Sequence, residues 1–160
     1  MVGEKIGKRG TAMNNEFYNN IGICSSSIIA ILEQFNDDID ITKILLIMPI
    51  ISHKQLLNHL SHASVKVLSL DGLIIDKNRY FSNFNKRFYQ SLPLTLNTLQ
   101  FLNDIEIIQL KKNKVRLLKN IPYDKKMGKR VNKIYKSAKN IATVLNEGTE
   151  KLYLNLRIEL

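Results

Sequence analysis

Apolar residues recur at spacings of three and four along most of this chain. One stretch abandons that rhythm: Ile105 to Leu118 alternates apolar and polar residues about the basic tip Lys111-Lys112-Asn113-Lys114. The first pattern is the stripe of an amphipathic helix and the second is a β-hairpin. The chain is therefore expected to be mainly α with a small β-hairpin.

Phe17, Ile21, Cys24, Ile28, Ile31, Leu32 and Phe35 share one face of a helix over about residues 14–35, which Asn36-Asp37-Asp38 stops. Asp40 is placed to cap the next helix, because its carboxylate can accept from free N–H groups of the first turn. That helix runs from Ile41 through Ile44-Leu45-Leu46-Ile47-Met48-Pro49 and is apolar on nearly all sides, so it is expected to be central. Pro49 lacks an N–H and is expected to kink or split it. A second piece runs to about Ser61 through Leu56, Leu57 and Leu60.

Ser64 to Ile75 fits a short capped helix ended by Asp71-Gly72, or a strand pair about that dipeptide; the helix is preferred. Asn83 to Ser91 reads as one helix. Pro93 can open another, running to about Leu102 with Thr95, Asn97, Thr98 and Gln100 exposed. After the hairpin and Pro122, a long helix is expected from about Lys126. Its inner face is Val131, Ile134, Tyr135, Ala138, Ile141, Ala142 and Leu145, and Gly148 can close it. Leu152 to Ile158 is a strand or a helix that docks back. Helices, then a hairpin, then a helix make a winged-helix-like α+β grammar. Residues 13–160 read as a single domain of that kind, with no linker dividing them. Residues 1–12 read as a flexible polar leader, native or appended, because Met13 looks like a natural start.

Charge is concentrated in one place. Between Lys111 and Lys139 stand 12 of the 24 Lys and Arg residues and a single acid, Asp124. The local charge is about +11 in a chain of net +10, so the remainder is close to neutral. A basic face of this kind meets a polyanion, such as nucleic acid, an acidic protein or anionic lipid, or it simply solubilises the fold. The nucleic-acid candidates are Lys111, Lys112, Lys114 and Arg116 on the hairpin and Lys126, Lys129, Arg130, Lys133 and Lys136 on the last long helix. In a winged helix the element before the hairpin usually enters the major groove. Here that element, Pro93 to Asn103, has no Lys or Arg. Backbone contact through the wing, or reuse of the fold for protein contact, is favoured over sequence reading.

The other side chains suggest no reaction. Cys24 is alone, which excludes an internal disulfide and fits a reducing cytoplasm; on an apolar stripe it reads as a small core residue. His53, His59 and His62 lack a nearby third metal ligand. Ser25-Ser26-Ser27 has no nucleophile-elbow context, and the chain has no P-loop motif. Asp37, Asp38 and Asp40 lack the Gly and Glu of a calcium loop. No catalytic, cofactor or metal residue is assigned. The longest apolar run, Ile44 to Ile51, spans eight residues against the ~20 needed to cross a bilayer, so a cytoplasmic protein without membrane contact is expected.

The order of features resembles the middle component of bacterial three-component ABC systems. The likeness covers most of residues 14–158. It comprises the helical start, the block Leu45 to Lys54 with Pro49, His53 and Lys54, the segment Phe84-Asn85-Lys86-Arg87 before a helix and hairpin, and a closing helix, Gly148 and Leu152-Tyr153. Met48 departs from the commoner Leu. The resemblance implies a non-enzymatic accessory subunit encoded beside an SMC- or Rad50-like ABC ATPase and an effector of nuclease type. Such sets act in anti-phage and anti-plasmid defence, including Lamassu-type systems. It implies binding to the ATPase, contact with DNA through the complex, and structural or interfacial roles for Pro49, His53, Lys54 and Arg87. A stand-alone winged-helix DNA-binding regulator and a purely structural adaptor for an acidic protein are the competing readings.

Overall fold

The computed structural model describes residues 20–160. Helix α1 covers residues 20–32 of these, so it ends about three residues earlier than its apolar spacing suggests; the expected start at residue 14 and the leader 1–12 lie outside the described residues. The chain continues through strand β1 (Ile39–Asp40) and helices α2 (Ile41–Ile44), α3 (Ile47–Ile51), α4 (Lys54–Ser61), α5 (Leu70–Asp76) and α6 (Phe84–Asp104). Strands β2 (Ile108–Lys111) and β3 (Lys114–Leu117) follow, then helices α7 (Lys129–Leu145) and α8 (Thr149–Asn155).

This is a mainly helical fold with one small antiparallel sheet of order β1-β3-β2. A short strand after the first helix, paired with the second strand of a later hairpin, is a winged-helix-like arrangement. The hairpin turns on two residues, Lys112 and Asn113, both at positive φ (52° and 61°). Such a turn matches the right-handed twist of the strands it joins. Its register sets Leu110 against Val115 and Ile108 against Leu117. With Ile108 and Val115 buried, that register sends Gln109, Lys111, Lys114 and Arg116 to solvent. The backbone carbonyl of Asn113 accepts from Ile41 N–H at 2.9 Å, so the hairpin tip satisfies one of the free donors that open α2.

Strand β1 replaces part of an expected helix cap. Asp40 does stand at the N-cap position of α2, but its side chain makes no capping bond. It pairs instead with Lys114 at 3.1 Å, directly opposite in the register. Two residues further along, past the Ile39–Val115 pair, Asp38 takes the Arg116 guanidinium at 2.7 and 3.2 Å. A two-residue strand carries no periodicity to read; only the partner strand defines it.

The prolines behave differently from expectation. The break in the apolar run falls at Leu45–Leu46, and Pro49 lies inside α3. It is the third residue of that helix, where no intrahelical N–H donation is required. Pro93 does not open a helix: α6 is continuous for 21 residues with Pro93 inside it. The faces of α6 also differ from the reading above. Thr95 and Thr98 are fully buried, while Leu96 and Phe101 stay 46% and 44% exposed. Buried threonines are tolerated because each returns its hydroxyl to its own helix, Thr95 to Ser91 C=O at 3.1 Å and Thr98 to Leu94 C=O at 2.7 Å. They also flank the buried Cys24 thiol, whose pKa burial pushes up to about 11 despite those hydroxyls.

Three other boundaries move. Residues 65–69 are neither helix nor strand, and the helix expected to end at Asp71-Gly72 begins at Leu70 instead; Ser69 Oγ caps it by accepting from Gly72 N–H at 3.0 Å. Helix α7 starts at Lys129 rather than Lys126, after a 3-10 turn over Lys125–Met127 and Gly128 at φ +91°, a left-handed conformation that favours glycine. Gly148 does not close α7; Asn146 does, and Gly148 precedes α8. Helix α8 buries Leu152, and Leu156 just beyond it is buried too, so the tail docks back as a helix.

Helix α4 packs along α7, and α3 against α6. The core joins Ile28 and Ile31 of α1, Ile44, Leu46 and Ile47 of the central run, Phe84, Leu99 and Leu102 of α6, and Ile134 and Ile141 of α7. Asn140 of α7 ties down the 62–69 segment by donating to Leu60 and Val65 C=O (2.8 and 3.1 Å) and accepting from Val67 N–H at 3.0 Å.

Pro93 is exposed and leaves the Tyr89 carbonyl without its helical donor. Pro93→Ala is expected to stabilise the fold by about 1–2 kcal/mol, the helix-interior penalty less the gain in unfolded-chain freedom. Urea denaturation at low protein concentration checks this as a rise in midpoint at unchanged slope.

Candidate nucleic-acid interface

The basic residues divide into paired and unpaired sets. On β3, Lys114 is held by Asp40 and Arg116 by Asp38. The Asp38 carboxyl is held below its ordinary range by the Arg116 hydrogen bond. These two cations are committed within the sheet, though both remain solvent-exposed. Lys111 and Lys112, at the hairpin tip, are exposed with no carboxylate within ion-pair distance among the described residues.

Helix α7 supplies the second set. Lys129, Arg130 and Lys133 line a groove whose opposite wall is Lys54, Leu57 and Asn58 of α4 and whose inner end is Ile51 of α3. Four cations thus surround one groove, no acid lines it, and none of the four has an ion-pair partner among the described residues. Lys133 Nζ donates to Asn58 Oδ1 at 2.7 Å, which fixes it on the rim. The first turn of α7 carries basic residues and no acid, against the sign its helix dipole favours. Like charges gathered this way repel, so the cluster costs the fold some stability. Lys139 and Lys114 line a second, mixed groove with Lys43 and three aspartates. Lys129 and Lys139 are separated by about 15 Å along the helix at 1.5 Å per residue. Lys136 between them is exposed, as is Lys126 on the preceding turn.

Aromatic groups add little to this surface. Tyr123 and Tyr135 pack at 5.7 Å and give their hydroxyls to Gly128 and Ile121 carbonyls. They brace the segment between wing and α7 and do not form an open stacking platform.

A different set of residues forms a polar knot. Arg87 of α6 is half-buried and donates through Nε to Pro49 C=O at 3.0 Å and through Nη2 to Tyr80 C=O at 2.7 Å. Its guanidinium also lies 5.3 Å from the Phe84 ring centre. Pro49 C=O belongs to the last turn of α3 and needs an outside donor. His53 caps α4, its Nδ1 accepting from Leu56 N–H at 3.1 Å, and its ring lies 5.3 Å from Tyr80. Pro49, His53 and Arg87 therefore meet at the junction of α3, α4 and α6. Lys54, the next residue, points to the basic groove instead.

The family model for the ABC-three component (ABC-3C) system Middle Component 3 matches residues 13–160. The chain belongs to that family. Comparison with curated proteins and with solved structures gave no match. Membership makes this middle component an accessory, non-catalytic type of subunit that works with the other components of an ABC three-component system. Of the motif residues, three are structural ties, and Lys54 alone joins the basic surface. Among the described residues His59 faces Asp76 at 4.0 Å and His62 faces Ser64, no group of three His, Cys, Asp or Glu side chains could hold a metal ion, and no helix is long and apolar enough to cross a membrane.

Sequence reasoning missed the Asp38–Arg116 and Asp40–Lys114 pairs and the role of Asn58, because each partner lies more than 70 residues away in the chain. Arg87 was visible only as a motif; a lone Arg on an aromatic-rich helix face was the available signal.

Arg87→Met is expected to destabilise the middle component by about 3 kcal/mol, since two carbonyls lose a charged donor. Arg87→Lys should recover less than half, because an ammonium cannot reproduce the two-pronged contact. Denaturant titration of both variants checks this. Burial, and then the Arg87 charge, hold the His53 pKa below its ordinary 6.5. The unfolded chain then takes up a proton more readily, so this contribution is complete above about pH 6.5 and falls as pH drops towards the folded value. His59, also shifted down by burial, acts in the same direction. His53→Asn keeps a cap and removes the titration, so stability lost between about pH 7.5 and 5.5 should shrink and not vanish.

Proposed function

We propose that this middle component is a non-enzymatic subunit of a Lamassu-type anti-phage or anti-plasmid complex. In this reading it binds an SMC/Rad50-like ABC ATPase, lays its basic ridge along DNA held by the complex, and helps pass the signal to a nuclease-type effector in the cytoplasm. The supporting observation is the groove of Lys54, Lys129, Arg130 and Lys133, four cations without an acid among its lining residues. Lys111 and Lys112 at the exposed hairpin tip, and Lys126 and Lys136 flanking the groove, extend the same charge. Lys114 and Arg116 contribute as ion-paired members of the surface.

The mode of contact follows from the chemistry. Lysines and arginines gathered without an open aromatic platform meet phosphates rather than base edges. In α6 two of the hydroxyls that could read bases, Thr95 and Thr98, are buried, and the helix has no cation between Phe88 and Asp104. Binding is then independent of sequence and strongly dependent on salt.

The complex is reconstituted with its ATPase and titrated with random duplex across salt. Replacing Lys129, Arg130 and Lys133 by Gln should weaken DNA binding by at least about tenfold and lower the log–log salt slope by roughly 2–3. Replacing Lys111 and Lys112 should lower the slope by roughly 1–2. Unchanged affinity and slope in both variants would remove the ridge from the DNA path. Loss of assembly with the ATPase, at unchanged DNA affinity, would assign the ridge to an acidic protein surface.

A further inference from the structure

Helix α6 shows a second face that the basic ridge does not use. Lys86 and Asp104 are 18 residues apart, five turns of helix, so they share one side of α6 about 27 Å from each other. Both are exposed, and Tyr89, Leu96 and Phe101 between and beside them keep 44%, 46% and 44% of their surfaces in solvent. Tyr89 and Leu96 lie on one flank of that side and Phe101 on the other, and apolar groups of this size left in solvent mark a contact surface. The nature of the contact is written in the order of residues. Reversing the helix about the level of Thr95 sets Lys86 against Asp104 on the midline of the face, with Tyr89, whose hydroxyl is given to the Glu159 carbonyl, and Leu96 on one flank and Phe101 on the other. The two charges on that midline meet their opposites twice.

The charge distribution supports the same occupant. A chain of net +10 resists approach of its own copy. Residues 88–110 contain no Lys or Arg and two acids, Asp104 and Glu106, so this face is where that repulsion is least. Asp104 is already oriented by Gln100 Nε2, which donates to its Oδ1 at 2.8 Å and leaves Oδ2 for a cation. Lys86 has no carboxylate within ion-pair distance among the described residues.

We infer that the exposed face of α6 is the interface of a twofold homodimer, packed antiparallel on the same face of a second copy. The inference rests on α6 alone and is independent of the DNA reading. It places the two basic grooves of the dimer on separate copies and occupies the helix that would otherwise enter a major groove.

The test uses the full chain alone, by sedimentation equilibrium from micromolar to submillimolar concentration. A monomer–dimer equilibrium is expected. Lys86→Asp and Asp104→Lys should each raise the dissociation constant by about tenfold, since each single change sets like charges together twice. The double variant should return it to near the original value. Leu96→Glu should be monomeric with an unchanged far-ultraviolet circular dichroism spectrum. A monomer at every concentration would overturn the proposal, as would a dimer indifferent to all three changes. Protection of α6 from hydrogen exchange only on adding the ATPase component, without self-association, would assign the face to that partner instead and equally overturn it.

Discussion

The guanidinium of Arg87 ties together three elements, α3, the 78–81 turn and α6, by direct hydrogen bonds beside the core contacts that α3 and α6 already share. Helix α3 ends with carbonyls that need donors, the 78–81 turn exposes Tyr80 C=O inward, and α6 supplies the fork that satisfies both at 3.0 and 2.7 Å. A planar guanidinium suits this place because it carries several donors in a fixed plane and desolvates more readily than an ammonium. Burial draws its pKa down, but its ordinary value is high enough that it remains charged. With α3 held to α6, the His53 cap starts α4 in the direction that lays it along α7. The basic groove between α4 and α7 therefore depends on a contact made just before its own wall begins, at Pro49 and His53.

The sheet performs a corresponding task for charge. Asp38 and Asp40 sit opposite Arg116 and Lys114, so the strand nearest the body of the protein is neutralised and only the tip keeps free cations. Exposed pairs such as these contribute little to stability. Their effect is to sort the charge within the hairpin: Lys114 and Arg116 are paired, while Lys111 and Lys112 at the tip have no ion-pair partner among the described residues. The middle component thus presents a cationic surface and, on α6 from Phe88 to Asp104, a stretch without Lys or Arg.

Much of this was legible because periodicity reports burial directly. The inner face of α7, from Val131 to Leu145, is buried as its spacing predicts, with Tyr135 half-buried. The hairpin could be located because alternation and a polar tip admit few alternatives. Helix α6 was misread for a physical reason. Threonine counts as polar in a pattern, yet in a helix it can bond its own turn and pack a methyl inward, while leucine and phenylalanine can remain outside where another surface awaits them. The prolines were misjudged for a similar reason: Pro49 falls where a helix has N–H groups to spare, and Pro93 is overridden by the burial of Phe88, Leu99 and Leu102 around it.

The sequence by itself determined the composition of the elements: which stretches are helical, where the hairpin turns, and that half the basic charge lies between Lys111 and Lys139. These follow from local physics, since side-chain period and turn chemistry act over a few residues. Tertiary structure alone decided which cations are free, which motif residues are ties and which one faces the groove. Those properties belong to pairs far apart in the chain, Asp38 with Arg116, Lys133 with Asn58, Pro49 with Arg87, and no local rule brings such residues together before the core has packed.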